Sequence, residues 1–176
     1  MPNRHQHTVF LALGGNLKHP PEPLIQAVQT LRSHATISDL THSRWRKTLP
    51  VNCPEGSPAF YNGVLRLKTS LSIDSLWDLC QALEREAGRL PPQIRGKNTP
   101  RALDIDLLFY DEQVLHTPVL QVPHPRLHER DFVLLPFLEL APDWQHPVFK
   151  TSMATLAQRR GGALESSSVV ERLVSD

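Results

Sequence analysis

The sequence predicts an α+β domain in which strands and helices follow one another as β-α-β-β-α-β, with shorter elements behind. Three observations predict it. Apolar runs of strand length occur at Thr8 to Leu13, Phe60 to Thr69 and Leu103 to Tyr110, whereas apolar residues recur at helical spacing near Leu24 and near Leu76. Prolines cluster between these stretches, at 20–23, 50–58, 91–100 and 118–125, where they punctuate elements.

Thr8 to Leu13 reads as a buried strand that runs into Gly14-Gly15-Asn16, a turn whose glycines allow positive φ or close approach of a ligand. A helix follows, with Leu24, Ile25, Val28 and Leu31 on one face and the preceding prolines setting its start. Ile37 to Thr48 is a weaker strand and Phe60 to Thr69 a stronger one, separated by a long loop rich in Pro, Gly and Asn. Ser72 is placed to cap a second helix, whose stripe is Leu76, Leu79, Cys80, Leu83 and Ala87 and whose end is marked by Gly88. A second long loop, Arg89 to Pro100, leads to the last core strand. This order is the split βαβ, or ferredoxin-like, arrangement, in which helices cover one face of an antiparallel sheet.

The C-terminal additions begin with a turn at Asp111-Glu112, an extended piece from Gln113 to Val122 and a polar segment, His124 to Phe132. Val133 to Leu140 is apolar enough for a short helix closed by Pro142, and Ser152 to Arg159 suits another. From Gly161 no core-facing pattern remains, so residues 1–160 are expected to form one domain and residues 161–176 a mobile tail.

With 176 residues and 40 % apolar content, the chain is the size of one packed domain. Its 19 basic and 18 acidic side chains nearly cancel, so whole-chain electrostatics call for neither nucleic acid nor an anionic membrane. Cys53 and Cys80 lie in different elements, which argues against a disulfide framework and for a reducing compartment. The N-terminus reads as too polar for a signal peptide, and no apolar run approaches the ~20 residues of a membrane span. A cytoplasmic monomer is expected.

The most informative stretch is Arg101-Ala102-Leu103-Asp104-Ile105-Asp106-Leu107. On a strand, Asp104 and Asp106 share a face with Cα atoms about 6.6–6.8 Å apart, while Leu103, Ile105 and Leu107 point into a core. Two readings stand. The carboxylates hold divalent cations, or they are strand-end acids tied up by Arg101 and backbone donors. Arg85, Arg89, Arg95, Lys97 and Arg101 form a local basic group around the second long loop. A polyphosphate carrying Mg²⁺ suits that combination of acids and guanidinium forks; a solvated basic loop is the plainer alternative. No Walker loop is present, because the spacing from Gly88 to Gly96-Lys97 is too long and Asn98 stands where Ser or Thr is required.

His124 and His128 are four apart, but Pro125 follows His124 at once and no third ligand lies near, which argues against zinc. Hydrogen bonding of His124 to a phosphate beside Arg130 is the better use. Phe60-Tyr61-Asn62 is either core with a satisfied amide or a slot for a flat heterocycle.

Taken in order, Leu13-Gly14-Gly15-Asn16, Thr48-Leu49-Pro50, Phe60-Tyr61-Asn62, Glu84 with Gly88-Arg89, Arg101 to Asp106, and Pro123-His124-Pro125-Arg126 with Arg130, Phe132 and Pro136 resemble the 6-hydroxymethyl-7,8-dihydropterin pyrophosphokinase family, from about Val9 to Pro142. The resemblance implies a ferredoxin-like enzyme of folate biosynthesis that moves pyrophosphate from ATP to a pterin alcohol. It further implies that Asp104 and Asp106 bind two Mg²⁺ ions on ATP. Arg89, Arg101, His124 and Arg130 would meet the phosphates, Gln81 and Glu84 would face the nucleoside, and Leu107 would touch adenine. For the pterin it implies a clamp of Phe60 and Phe132, with Asn62 reading the amide edge and backbone groups near Thr48 and Val51 closing the pocket.

Departures from the family pattern are Gly15 where Ser is usual, Ala102 where Thr is usual, and Pro91-Pro92 with Asn98 where relatives carry an extra arginine and a Trp. Neither Arg95 nor Lys97 receives a role. The rivals are a nucleotide-sugar transferase, for which the chain is short, and a ferredoxin-like RNA-binding module. The RNA reading is opposed by the near-zero net charge, two acids on the would-be RNA face and the lack of an Arg/Lys-Gly-aromatic strand motif.

Overall fold

The computed structural model describes residues 6–16, 22–48, 56, 58–89, 101–160 and 168–169. Val51, Cys53, Arg95, Lys97 and most of both long loops lie outside the described residues.

The central strand β1 (His7–Gly15) is the most apolar stretch of the chain's first half, and it runs antiparallel to two neighbours. Across three further strands, β2 (Ile37–His42), β3 (Arg46–Thr48) and β4 (Phe60–Thr69), and β5 (Asp104–Tyr110), the order is β3-β4-β1-β5, with β2 also on β4. Helices α1 (Glu22–Ser33) and α2 (Ile73–Glu86) cover one face. Their buried residues Leu24, Val28, Leu31, Leu76, Cys80 and Leu83 meet Val9, Leu11, Leu13, Ile105 and Leu107 of the sheet. Ser72 accepts a hydrogen bond from the Ser75 N–H at 3.3 Å, and Gly88 takes φ +87°, so α2 starts and stops as its residues dictate.

Four features differ from the sequence expectation. The stretch Ile37 to Thr48 is two strands, because Trp45 is fully buried and its ring fills the space where a Cβ on Gly63 would stand. Ser43 keeps the break satisfied, donating its N–H to the Val64 carbonyl at 2.9 Å and accepting the Val64 N–H at 3.0 Å through Oγ. Gly14 and Gly15 belong to β1 and neither has positive φ; the expected turn is strand. A Cβ on Gly15 would lie 2.3 Å from the Ala102 carbonyl oxygen, so the close approach is by the protein's own backbone.

The extended piece after Tyr110 is a small hairpin, β6 (Leu115–His116) and β7 (Gln121–Val122); Ser168–Val169 pair with β3.

Most important for the site, the sheet is covered on both faces. Phe10, Val64, Leu108 and Phe109 build a second core with a 3₁₀ turn at Leu127–Glu129, α3 (Asp131–Leu140) and α4 (Met153–Arg159). A bulge makes this possible. Phe10 pairs with Phe109 but Leu11 with Leu107, so Leu108 is the extra residue and both Leu108 and Phe109 supply the second face. A hairpin, β8 (Gln145–His146) and β9 (Thr151–Ser152), carries His146 into the edge of this core.

Candidate active site

The second face is capped by α3 only at the end near Phe10 and Val64; towards Gly14 it is lined by polar side chains. Register sets the geometry. Asp106, Ala12 and Val64 form one row across β5, β1 and β4, and Asp104, Gly14 and Asn62 form the next. Asp104 and Asp106 therefore share a face, as the strand period requires, with Leu108 following on that face. Two inter-strand spacings put Asn62 roughly 10 Å from Asp104 along the row. Gly14 makes room for the Asn62 side chain, since a Cβ there would stand 2.8 Å from Asn62 Oδ1.

Every acid of this site has a basic partner. Arg101 Nη1 lies 2.6 Å from Asp104 Oδ2, and Arg89 Nη1 lies 3.0 Å from Asp104 Oδ1 while also pairing with Glu84. Arg130 Nη1 donates to Asp106 Oδ2 at 3.3 Å, and His124 Nε2 approaches the same oxygen at 3.8 Å. Burial holds the Asp106 carboxyl above the usual range, and the Asp104 charge adds to this, while His124 and Arg130 oppose it. Burial likewise draws His124 below the ordinary imidazole value, opposed by the Asp106 charge. Its Nδ1 accepts the Arg126 N–H at 3.2 Å, which leaves the proton of the neutral ring on Nε2, towards Asp106.

Glu84 is 1 % exposed and internal. Its Oε1 accepts the Ile105 N–H at 2.7 Å, from the outer edge of β5 between the two aspartates, and its Oε2 accepts from Gln81 at 3.2 Å. Burial raises its carboxyl too. The side chain expected to face a nucleoside is thus also a strut between α2, β5 and Arg89. Leu107 is 2 % exposed in the core beneath α1 and α2, which confines any ligand contact to its backbone or a sliver of side chain.

On the β4 side, Asn62 Nδ2 donates to Thr48 Oγ1 at 3.0 Å, and Phe60, paired with Thr48, stands half-buried two residues along the same face. Phe132 opens α3, 39 % exposed, with the Arg130 guanidinium 5.7 Å above its ring. The structure brings together Asp104, Asp106, Arg89, Arg101, His124 and Arg130 at one end of this face, and Thr48, Phe60 and Asn62 across the sheet from them; Val51 lies outside the described residues.

Two partly buried carboxylates offering hard oxygen atoms fit Mg²⁺. Among the described residues no group of three or more His, Cys, Asp or Glu could hold a metal by itself. Asp104 and Asp106 are therefore suited to an ion whose remaining ligands come from a substrate's oxygens and water. Sequence reasoning missed Asn16, 1 % exposed, which exchanges two hydrogen bonds with the backbone of Arg101. Its signal was its place in the Leu13-Gly14-Gly15-Asn16 block, which assigned it no role.

Residues 10–142 match the family model for 7,8-dihydro-6-hydroxymethylpterin-pyrophosphokinase. The chain belongs to this family. It is 38 % identical over 139 residues to the 2-amino-4-hydroxy-6-hydroxymethyldihydropteridine pyrophosphokinase of Pseudomonas aeruginosa, covering 79 % of this chain and 83 % of that one. The Haemophilus influenzae protein of the same name is 34 % identical, covering 77 % and 82 %. The folic acid synthesis protein fol1 of Pneumocystis carinii is 34 % identical over 86 % of this chain, and the chain spans only 20 % of its length. In fold, the chain is similar to wild-type Plasmodium falciparum HPPK-DHPS crystallised with pteroate, at TM-score 0.67 and 14 % identity, covering 89 % of this chain and 42 % of the other. The α+β architecture of the pyrophosphokinase family is thus present, with its antiparallel sheet and helices on both faces.

Proposed function

We propose that this chain transfers pyrophosphate from ATP to the hydroxymethyl group of 6-hydroxymethyl-7,8-dihydropterin, giving AMP and the pterin diphosphate, in folate biosynthesis. The observation that carries the reading is the placement of the Asp104–Asp106 pair, ringed by Arg89, Arg101, Arg130 and His124, across the single strand β1 from Asn62. A triphosphate needs the first half of that row and a flat heterocycle the second.

Two Mg²⁺ ions on ATP would be held by Asp104 and Asp106, and when bound they supply charge neutralisation for the transferred group. The chain's own residues do the rest. Arg89 and Arg101, which rest on Asp104, are placed to transfer their guanidinium forks to phosphate oxygens, and Arg130 with the His124 Nε2–H is placed to do so from the other side of Asp106. The paired donor and acceptor of Asn62, oriented by Thr48, suit the amide edge of a pterin, and Phe60 and Phe132 supply ring faces. Gln81 and Glu84 would border the nucleoside from the end of α2, with adenine meeting Leu107 through its backbone. In this reading residues 1–160 act as one catalytic domain, a cytoplasmic monomer that needs neither nucleic acid nor membrane; among the described residues no helix is long and apolar enough to cross one.

The test is direct. The protein is incubated with ATP, Mg²⁺ and the pterin alcohol, and the nucleotide product is identified; pterin-dependent AMP is expected. ADP, or AMP formed without pterin, overturns the assignment.

A further inference from the structure

Arg101 precedes β5 and lies beyond the ladder that β5 forms with β1, whose last pair is Gly14 with Asp104. Nothing in a regular sheet therefore fixes its backbone. What fixes it is Asn16. The Asn16 N–H donates to the Arg101 carbonyl at 2.9 Å, and Asn16 Oδ1 accepts the Arg101 N–H at 2.8 Å. The two bonds close a ring like that of an antiparallel pair, with a side-chain carbonyl in the place of the strand partner's backbone oxygen. Asn16 is 1 % exposed. Its neighbour Gly15 lets the same segment press inward, since the Ala102 carbonyl oxygen occupies the space of a Gly15 Cβ. Held at both its N–H and its carbonyl, Arg101 directs its guanidinium back onto Asp104.

We propose that Asn16 is a positioning residue for ATP binding and turnover: it fixes the Arg101 backbone so that the guanidinium sits over Asp104 and at the phosphates. The inference rests on the pyrophosphokinase reading, in which Arg101 meets the triphosphate. Asn16 itself touches no reacting atom, and its whole effect passes through Arg101.

The decisive experiment is a double-mutant cycle of Asn16→Ala and Arg101→Ala, read by calorimetric Kd for a non-hydrolysable ATP analogue with Mg²⁺ and by kcat/KM for AMP formation. Asn16→Ala is expected to weaken analogue binding and kcat/KM roughly 10–100-fold, the range for groups that orient a ligand-binding side chain, with the KM for pterin unchanged. In the Arg101→Ala background the same change is expected to do almost nothing. Asn16→Asp keeps an oxygen facing the Arg101 N–H and is expected to recover most of the loss. Should Asn16→Ala not fold, Asn16→Ser, whose hydroxyl is one bond too short, replaces it in the cycle. Losses that multiply between the two positions, a matching rise in pterin KM, or wild-type binding in Asn16→Ala each overturn the proposal. A wild-type protein that forms no AMP overturns the pyrophosphokinase reading instead, and the calorimetric cycle still decides the link between Asn16 and Arg101.

Discussion

Asp104 and Asp106 occupy equivalent places on one strand face but different electrostatic settings. Asp104 lies between two guanidinium groups at 2.6 and 3.0 Å, whereas Asp106 has one at 3.3 Å and is held up by burial. Removing the charge should therefore weigh unequally on folding and alike on chemistry. Asp104→Asn leaves Arg89 and Arg101 without their shared partner and is expected to lower stability by about 1 kcal/mol, the range for part-exposed pairs, whereas Asp106→Asn is expected to cost less. Both should lower kcat/KM by roughly 10²-fold or more, since each removes a proposed metal ligand. Paired thermal denaturation and AMP assays check this; an Asp106→Asn protein that is less stable than Asp104→Asn, or that turns over normally, contradicts it. These two acids were legible in the sequence because a period of two within an apolar run places them unambiguously. Asn16 and Glu84 were not legible in the roles the structure shows, because their partners are backbone groups of Arg101 and Ile105, 85 and 21 residues away, and a backbone group leaves no mark in sequence.

Among the elements, long periodic ones were legible and short corrective ones were not. β4 falls at Phe60–Thr69 and α2 behind Ser72 because burial and capping both act on residue type. The bulge at Leu108 and the break between β2 and β3 come from contacts across the sheet. Trp45 and Gly63 illustrate the second. Trp45→Ala should cost about 3–5 kcal/mol, the usual loss for a fully buried Trp. Gly63→Ala, whose Cβ would stand 2.7 Å from the Trp45 ring, should cost about 1–3 kcal/mol as overpacking. Because one contact produces both effects, Gly63→Ala should cost much less in the Trp45→Ala protein; additive losses in urea denaturation would show that the ring is not the obstacle. The β8–β9 hairpin makes a pH prediction. His146 is 3 % exposed and its Nδ1 accepts the N–H groups of Val148 and Phe149, so a second proton would break both bonds. Burial, aided by His128, pulls its pKa down to about 4. The folded state therefore binds this proton less readily than the unfolded chain. The stability from neutral His146 is complete above about pH 6.5, and it is lost as pH falls through 4. His146→Asn, which keeps an acceptor without a titration, should flatten the fall in melting temperature between these pH values; an unchanged slope refutes the assignment.

At the scale of the whole molecule, the two-core architecture explains why the site is where it is. The first core is closed by α1 and α2, and the second thins out beyond Phe10 and Val64, so polar side chains take over the second face at Asp106 and in the row that runs from Asp104 through Gly14 to Asn62. That the C-terminal elements cover a sheet face was hidden in the sequence because α3 is apolar on most sides, without a stripe that names a partner, and α4 is only seven residues long. The site's charge distribution then determines how the folded protein should respond to ligands. A triphosphate entering without metal meets Asp104 and Asp106 directly, and the arginines are already committed to those acids. With Mg²⁺ the acids and the phosphates share a cation, and the arginines are released to phosphate oxygens. Nucleotide and metal should therefore stabilise the fold together far more than the sum of each alone. At a hundredfold excess over Kd a ligand stabilises by about 2.7 kcal/mol, which for a protein of this size corresponds to a rise in melting temperature of roughly 5–11 °C. A thermal-shift matrix of non-hydrolysable ATP analogue and Mg²⁺ in wild type should show that rise only when both are present. In Asp106→Asn the cooperative part should collapse while any small effect of analogue alone persists or grows, because one repelling carboxylate is gone. Equal shifts with and without Mg²⁺, or an undiminished joint shift in Asp106→Asn, would mean that the two aspartates are not the place where metal and phosphate meet.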